Sequence, residues 1–138
     1  RFNPGSSNAY RYLALLYFKQ NTNDGMNEAL RLALSTQHSI NSIKLAADLY
    51  FNTKQYDLAI DHYQTLRKAY PDHLHPRVYL AELYLIQNQP KKAKSFAEEA
   101  LSITPRIKSE KHLFYQELAT AVIIQADQKI DHDANKRK

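Results

Sequence analysis

The chain has 138 residues, enough for one domain and short of the usual size for two, with 43% apolar residues, 24% charged residues and a net charge of +5. Two glycines, five prolines and no cysteine exclude a turn-rich β architecture, a disulfide framework, a thiolate metal site and a cysteine nucleophile. The basic residues are spread along the chain apart from Lys136-Arg137-Lys138, so the charge reads as a solvated surface rather than a nucleic-acid stripe.

The composition leans on Ala, Leu, Lys, Gln, Glu and Tyr, and predicts an all-α protein. In chain order, helices are expected at about 7–20, 25–37, 41–53, 56–69, 75–88, 91–103 and 106–126. Gln89-Pro90 places a proline just inside a helix start, where its missing N–H does no harm. Tyr70-Pro71-Asp72 and Thr104-Pro105 break the chain between helices. The turn around Asn21–Gly25 is expected to be three residues longer than its counterpart, because Tyr17 to Ala29 spans 12 positions against 9 from Tyr50 to Ala59. No apolar run approaches the roughly 18–20 residues of a membrane span.

One internal period runs through these helices. Ala47 and Ala81 stand 34 residues apart, as do Tyr50 and Tyr84, Ala59 and Ala93, and Pro71 and Pro105. The segment Leu45-Ala46-Ala47-Asp48-Leu49-Tyr50 reappears as Tyr79-Leu80-Ala81-Glu82-Leu83-Tyr84. Looser copies flank these two. Tyr10, Leu13, Ala14 and Tyr17 fit an earlier first helix, with Ala29 and Ala33 in its second. Leu118–Gln125 mirrors Leu80–Gln87 at an offset of 38.

The pattern resembles the tetratricopeptide repeat, a 34-residue pair of antiparallel helices. From Ile40 the unit supplies Ile43, Ala46, Ala47, Tyr50, Ala59, Tyr63, Leu66 and Pro71 at the repeat's preferred places. From Leu74 it supplies Arg77, Leu80, Ala81, Tyr84, Ala93, Ala97, Ala100 and Pro105. Arg77, Leu66 and Ala97 depart from the preferred residue types. The resemblance implies a right-handed superhelical array of antiparallel helix pairs, an α-solenoid of about three and a half repeats, because a lone pair cannot bury its apolar face. The whole of 1–138 is read as a single domain. Its repeats cover about 7–39, 40–73 and 74–107, with a final helix at about 106–126 followed by a polar tail. Small residues are needed where paired helices cross, Ala47 opposite Ala59 and Ala81 opposite Ala93, with Tyr50 and Tyr84 filling the wedge beside them.

Both ends read as cut from a longer solenoid, with Pro4 closing an earlier unit and Ile123-Ile124 leaving a possible terminal packing surface on the last helix. Through the resemblance, the first helices line a concave groove that holds a partner peptide or helix. The partner-binding residues expected there are Arg11, Tyr12, Phe18, Lys44, Asp48, Phe51, Tyr79 and Glu82, within a wider lining that includes Asn8, Leu15, Asn41, Leu45 and His75. Family members that clamp chaperone-tail carboxylates use charged and amide side chains at five groove places. Those places hold Arg11, Leu15, Leu45, His75 and Tyr79 here, and only Arg11 keeps the charge, so that activity is not expected.

Chemistry is otherwise sparse. His73-Leu74-His75, with Asp72 and His62, sits at a proline-flanked turn and reads as exposed histidine rather than a metal site. Asp131-His132-Asp133 reads as part of a frayed, solvated end, and Glu98-Glu99 as an acidic helix surface. There is no phosphate-cradling glycine loop, no H-E-x-x-H and no G-x-S-x-G. The expectation is therefore no enzyme, no catalytic residue, no metal and no cofactor. In its place stands an adaptor or scaffold module with a protein or peptide partner. Alternatives are a structural segment that self-associates through its C-terminal helix or positions flanking domains and, less favoured, an RNA-binding helical repeat. Asp48 and Glu82 in the groove argue against RNA. The compartment is left open, with the cytoplasm slightly favoured.

Overall fold

A computed structural model describes residues 6–37, 39–104 and 109–137. Among them are seven α-helices and no strand: α1 (Ser7–Lys19), α2 (Asn23–Thr36), α3 (Ile40–Asn52), α4 (Tyr56–Ala69), α5 (Leu74–Ile86), α6 (Pro90–Leu101) and α7 (Glu110–Lys136). None is long and apolar enough to cross a membrane. The chain divides into two compact units, Arg1–Leu66 and Arg67–Lys138, with the boundary inside α4. Pro4 and Pro105 fall outside the described residues, and so does the expected helix start at 106.

The three first helices end alike. Asn21, Lys54 and Asn88 take the left-handed conformation, with φ of 57°, 63° and 63°. The next N–H then reaches back to a tyrosine carbonyl: Thr22 to Tyr17 at 2.9 Å, Gln55 to Tyr50 at 2.8 Å and Gln89 to Tyr84 at 2.8 Å. Asn21, Lys54 and Asn88 themselves donate to Phe18, Phe51 and Leu85, each at 3.1 Å. These paired bonds satisfy the last carbonyls of each helix and turn the chain sharply. The expected longer turn in the first unit is thereby corrected: α1 and α2 are joined by the same three-residue link as the other pairs.

With equal turns, the register of α2 shifts. Met26, and not Ala29, stands where Ala59 and Ala93 stand in the later units, and all three side chains are fully buried. Ala29 in turn occupies the place of His62 and Phe96, whose rings lie against Tyr50 (centroids 5.4 Å) and Tyr84 (5.4 Å, stacked). Large and small have exchanged places one helical turn apart, so the volume between the helices is conserved while its distribution is not. Gly25 completes this packing: a Cβ there would lie 2.7 Å from the Tyr17 ring.

Unit 1 is built on Ala14, Leu30, Ala33, Ala46, Ala47, Ala59 and Tyr63, each at most 1% exposed. Ser7 of α1 is buried, donates to the Ala33 carbonyl at 3.2 Å and meets the Ser42 hydroxyl at 3.0 Å, linking three helices. Asn27 and Gln55 exchange amide hydrogen bonds of 2.8 and 3.0 Å across the second helices' starts. In unit 2, Val78, Leu80, Ala81, Leu83, Ala93, Ala97, Ala100, Ala119 and Ala126 are fully buried where α5, α6 and α7 meet.

The last helix departs from expectation. It does not stop near 126 but continues to Lys136, so Asp131-His132-Asp133 lie on a helix and not on a frayed tail. At the place where the other first helices turn, α7 carries Ala126, a strong helix former, and Gln128 replaces the proline found at position 90. Lys94 binds Asp127 at 2.7 Å, and Ile130 lies half-buried near Pro90, so the extension rests on α6.

Candidate functional site

The expected surface residues fall into two groups, one on each unit. In unit 1, Tyr12 is 70% exposed, and Lys44 is exposed. Arg11 is half-buried and held in place, one Nη donating to the Ser42 hydroxyl at 3.0 Å and the other to the Asn8 amide oxygen. Between α1 and α3 a depression of about 400 Å³ is lined by Asn8, Arg11, Tyr12, Leu15, Asn41 and Leu45. All six belong to the lining named from the sequence.

Phe18 and Phe51 are half-buried, and Phe51 packs edge-on to Tyr56 with ring centroids 6.2 Å apart. Asp48 is also half-buried and accepts a hydrogen bond from the hydroxyl of buried Tyr63. Its carboxylate therefore ties α3 to α4 whatever else it contacts.

In unit 2, Tyr79 and Glu82 lie half-buried on α5, on the same helical stripe as His75 and the exposed Ile86. His75, Tyr79 and Tyr115 of α7 form a closed edge-to-face trio, with centroid separations of 4.8, 5.7 and 6.1 Å. Burial raises the Glu82 carboxyl above its usual pKa. His73 stacks on Tyr70 at 5.1 Å, whereas His75 lies half-buried within α5 and not exposed at the turn as expected, so the two histidines engage different rings. No group of three or more potential metal ligands occurs among the described residues.

Glu99, read from the sequence as part of an acidic helix surface, is instead the hub of a charge cluster. Arg67 donates to both of its carboxylate oxygens at 2.8 Å and also lies 5.1 Å over the Phe96 ring. Arg77 Nε approaches the same carboxylate at 3.0 Å, close enough for an ion pair but misaligned for a hydrogen bond, while its Nη1 donates to the His73 carbonyl. Arg67, acting through these hydrogen bonds first, and then the Arg77 charge hold the Glu99 carboxyl below the usual range. Arg77 departs from the repeat's preferred residue type in the sequence, and the carboxylate that accounts for it stands 22 residues on.

On α7, Ile123 is half-buried and Ile124 is 54% exposed; Leu113 (57%) and Phe114 (54%) are exposed about three turns earlier on the same helix. A second depression, of about 390 Å³, lies between the start of α6 and the end of α7.

Comparison with solved structures finds the same fold in MamA, at 16% identity and a TM-score of 0.63, covering 96% of this chain and 83% of that one. Pseudomonas aeruginosa PilF matches at 19% identity and a TM-score of 0.66, again over 96% of this chain; the chain spans 62% of the length of PilF. Sequence comparison with curated proteins gives no significant match. Residues 43–108 match the family model described as "Tetratricopeptide repeat". That match, the 34-residue period and the antiparallel pairs on which it falls make this an all-α helical-repeat protein of the kind that serves protein–protein interaction. Residues 43–108 thus carry the tetratricopeptide repeat that the 34-residue period resembles.

Proposed function

We propose that this chain is an adaptor or scaffold module that holds a segment of a partner protein on the exposed face of its first helices. The observation that carries the reading is the depression on unit 1, where an oriented guanidinium (Arg11), an exposed aromatic (Tyr12) and two leucines line one open surface. Mixed aromatic, apolar and charged lining of this kind suits peptide recognition, since aromatics and arginine supply most of the affinity in such contacts.

The test is selection of binding peptides on the immobilised chain, followed by amide chemical-shift mapping. Shifts on α1 and α3, and at least a tenfold loss of affinity in an Arg11→Ala, Tyr12→Ala variant, are expected. Shifts confined to α2, α4 and α6 would overturn the reading. A second reading, self-association through α7, draws on the exposed Leu113, Phe114 and Ile124. It predicts a sedimentation coefficient that rises with concentration and stops rising in an Ile124→Asp, Phe114→Ser variant.

A further inference from the structure

Unit 2 carries on α5 a carboxylate with no partner among the described residues, beside a cluster of aromatic rings, and the chemistry of what would complete it can be named. Glu82 is half-buried, yet it has no hydrogen bond or ion pair with another described residue. By contrast Asp48, at the same place one repeat earlier, is bound by Tyr63. The counterpart of Tyr63 one repeat on is Ala97, which is fully buried and has no group to donate. The repeat therefore retains the acid and has lost its internal donor.

Around that acid, helical spacing sets His75, Tyr79, Glu82 and Ile86 on one stripe, with Tyr115 of α7 against the first two. The ring trio lies at one end of the stripe, and Ile86, 46% exposed, adds an apolar surface one turn beyond Glu82.

From this juxtaposition we infer that the α5 stripe of unit 2 is a recognition site for an arginine side chain of an extended partner segment. The guanidinium fork would pair with the Glu82 carboxylate while its flat face and methylene stem lie on Tyr79 and Ile86. Charge complementarity selects the occupant: an anion would face a bare carboxylate, and a purely apolar side chain would leave that carboxylate desolvated and unpaired. Arginine suits the place better than lysine, because a planar, weakly hydrated cation both stacks on rings and bonds a carboxylate through two N–H groups. The inference rests on the reading of the first-helix face as the binding face and adds the partner's chemistry.

The experiment is an NMR titration of the whole chain with two acetylated, amidated octapeptides of alanine and serine that differ at one central residue, arginine or glutamate. The arginine peptide is expected to shift the amides of Tyr79, Glu82 and Ile86, and the glutamate peptide to leave them in place. Glu82→Gln, a near-isosteric change, should weaken the arginine peptide at least fivefold, whereas Glu98→Gln, the same change at an exposed carboxylate of α6, should leave its affinity unchanged. Tyr79→Leu should weaken it too, by a smaller factor.

Equal shifts with both peptides, or undiminished binding in Glu82→Gln, would overturn the assignment. So would movement of the same amides on changing protein concentration with no peptide present, which would give the face to a second copy. If the selected peptides still bind α1 and α3 while the arginine peptide leaves α5 untouched, the assignment falls and the wider function stands; if both fail, both fall.

Discussion

The two units use one template and satisfy it differently. At the fourth place of the repeat, unit 1 buries Ile43 (6% exposed) and unit 2 buries Arg77 (7% exposed). The residue 22 positions further on differs in step: Thr65 in unit 1 is exposed and donates to the Asp61 carbonyl of its own helix, whereas Glu99 in unit 2 binds both Arg67 and Arg77. The template thus dictates burial and approximate volume at a place. Whether the side chain there is an alkyl group or a guanidinium is settled jointly with its neighbour on the second helix.

The largest effect is expected from breaking the charged version alone. Glu99→Ala leaves the buried Arg77 without its counter-charge and should cost roughly 2–4 kcal/mol, read from the midpoint of urea unfolding, toward the lower end because Glu99 is partly exposed. Thr65→Ala, the matching change in unit 1, should stay within about 0.5 kcal/mol. Copying the unit 1 solution into unit 2, as Arg77→Ile with Glu99→Thr, should recover most of the loss. If Glu99→Ala costs no more than Thr65→Ala, the contrast drawn here is wrong.

The small-residue crossings are common to both units, so they should respond alike. Ala47→Leu and Ala81→Leu, both at fully buried positions, should each cost about 1–3 kcal/mol by overpacking. A marked inequality would mean that one crossing has room the other lacks.

Acid sharpens the comparison. The Glu99 carboxyl has a folded-state pKa below its unfolded one, so its contribution is complete above the unfolded value and drains away as pH falls through the folded value. Unfolding followed between about pH 5 and 2 should show this slope, reduced in the Arg77→Ile, Glu99→Thr variant. Glu82 has the opposite sign: its raised pKa means that ionisation opposes folding, so the associated stability is present at low pH and lost as pH rises through the folded value. Glu82→Gln should therefore be neutral or slightly stabilising at pH 7.

A loss smaller than that of the charged cluster is expected from the neutral network of unit 1. Ser7→Ala removes a buried hydroxyl bonded to Ala33 and Ser42 and should cost about 1 kcal/mol in the same unfolding measurement.

Helix number, the repeat period and most of the α1–α3 lining were legible in the sequence because each depends on local spacing. Ala47 and Ala81 mark a crossing wherever they recur, and Asn8, Arg11, Tyr12, Leu15, Asn41 and Leu45 follow from position within the helix. The features missed depend on what is chemically possible across helices. The length of the first turn was misjudged because Ala29 looked like the crossing residue, when Met26 takes that place and Ala29 makes the room. The end of α7 was misplaced because polarity from Lys129 onward masked Ala126, Ile130 and Ala134, a four-residue spacing that continues one face. Glu99 looked like solvated charge because its guanidinium partners lie 32 and 22 residues away.

The exchange of bulk between Met26 and Ala29 has a further consequence, for how this fold can evolve. Replacing Met26 with the alanine that stands at that place in the two later units would open a void, and enlarging Ala29 alone would collide with a filled site, so each single step should be deleterious and only the pair neutral. The two columns are epistatic. A description that scores columns independently will undervalue a repeat that has crossed to the other solution, and homologous units can drift apart in sequence while their helices keep the same spacing.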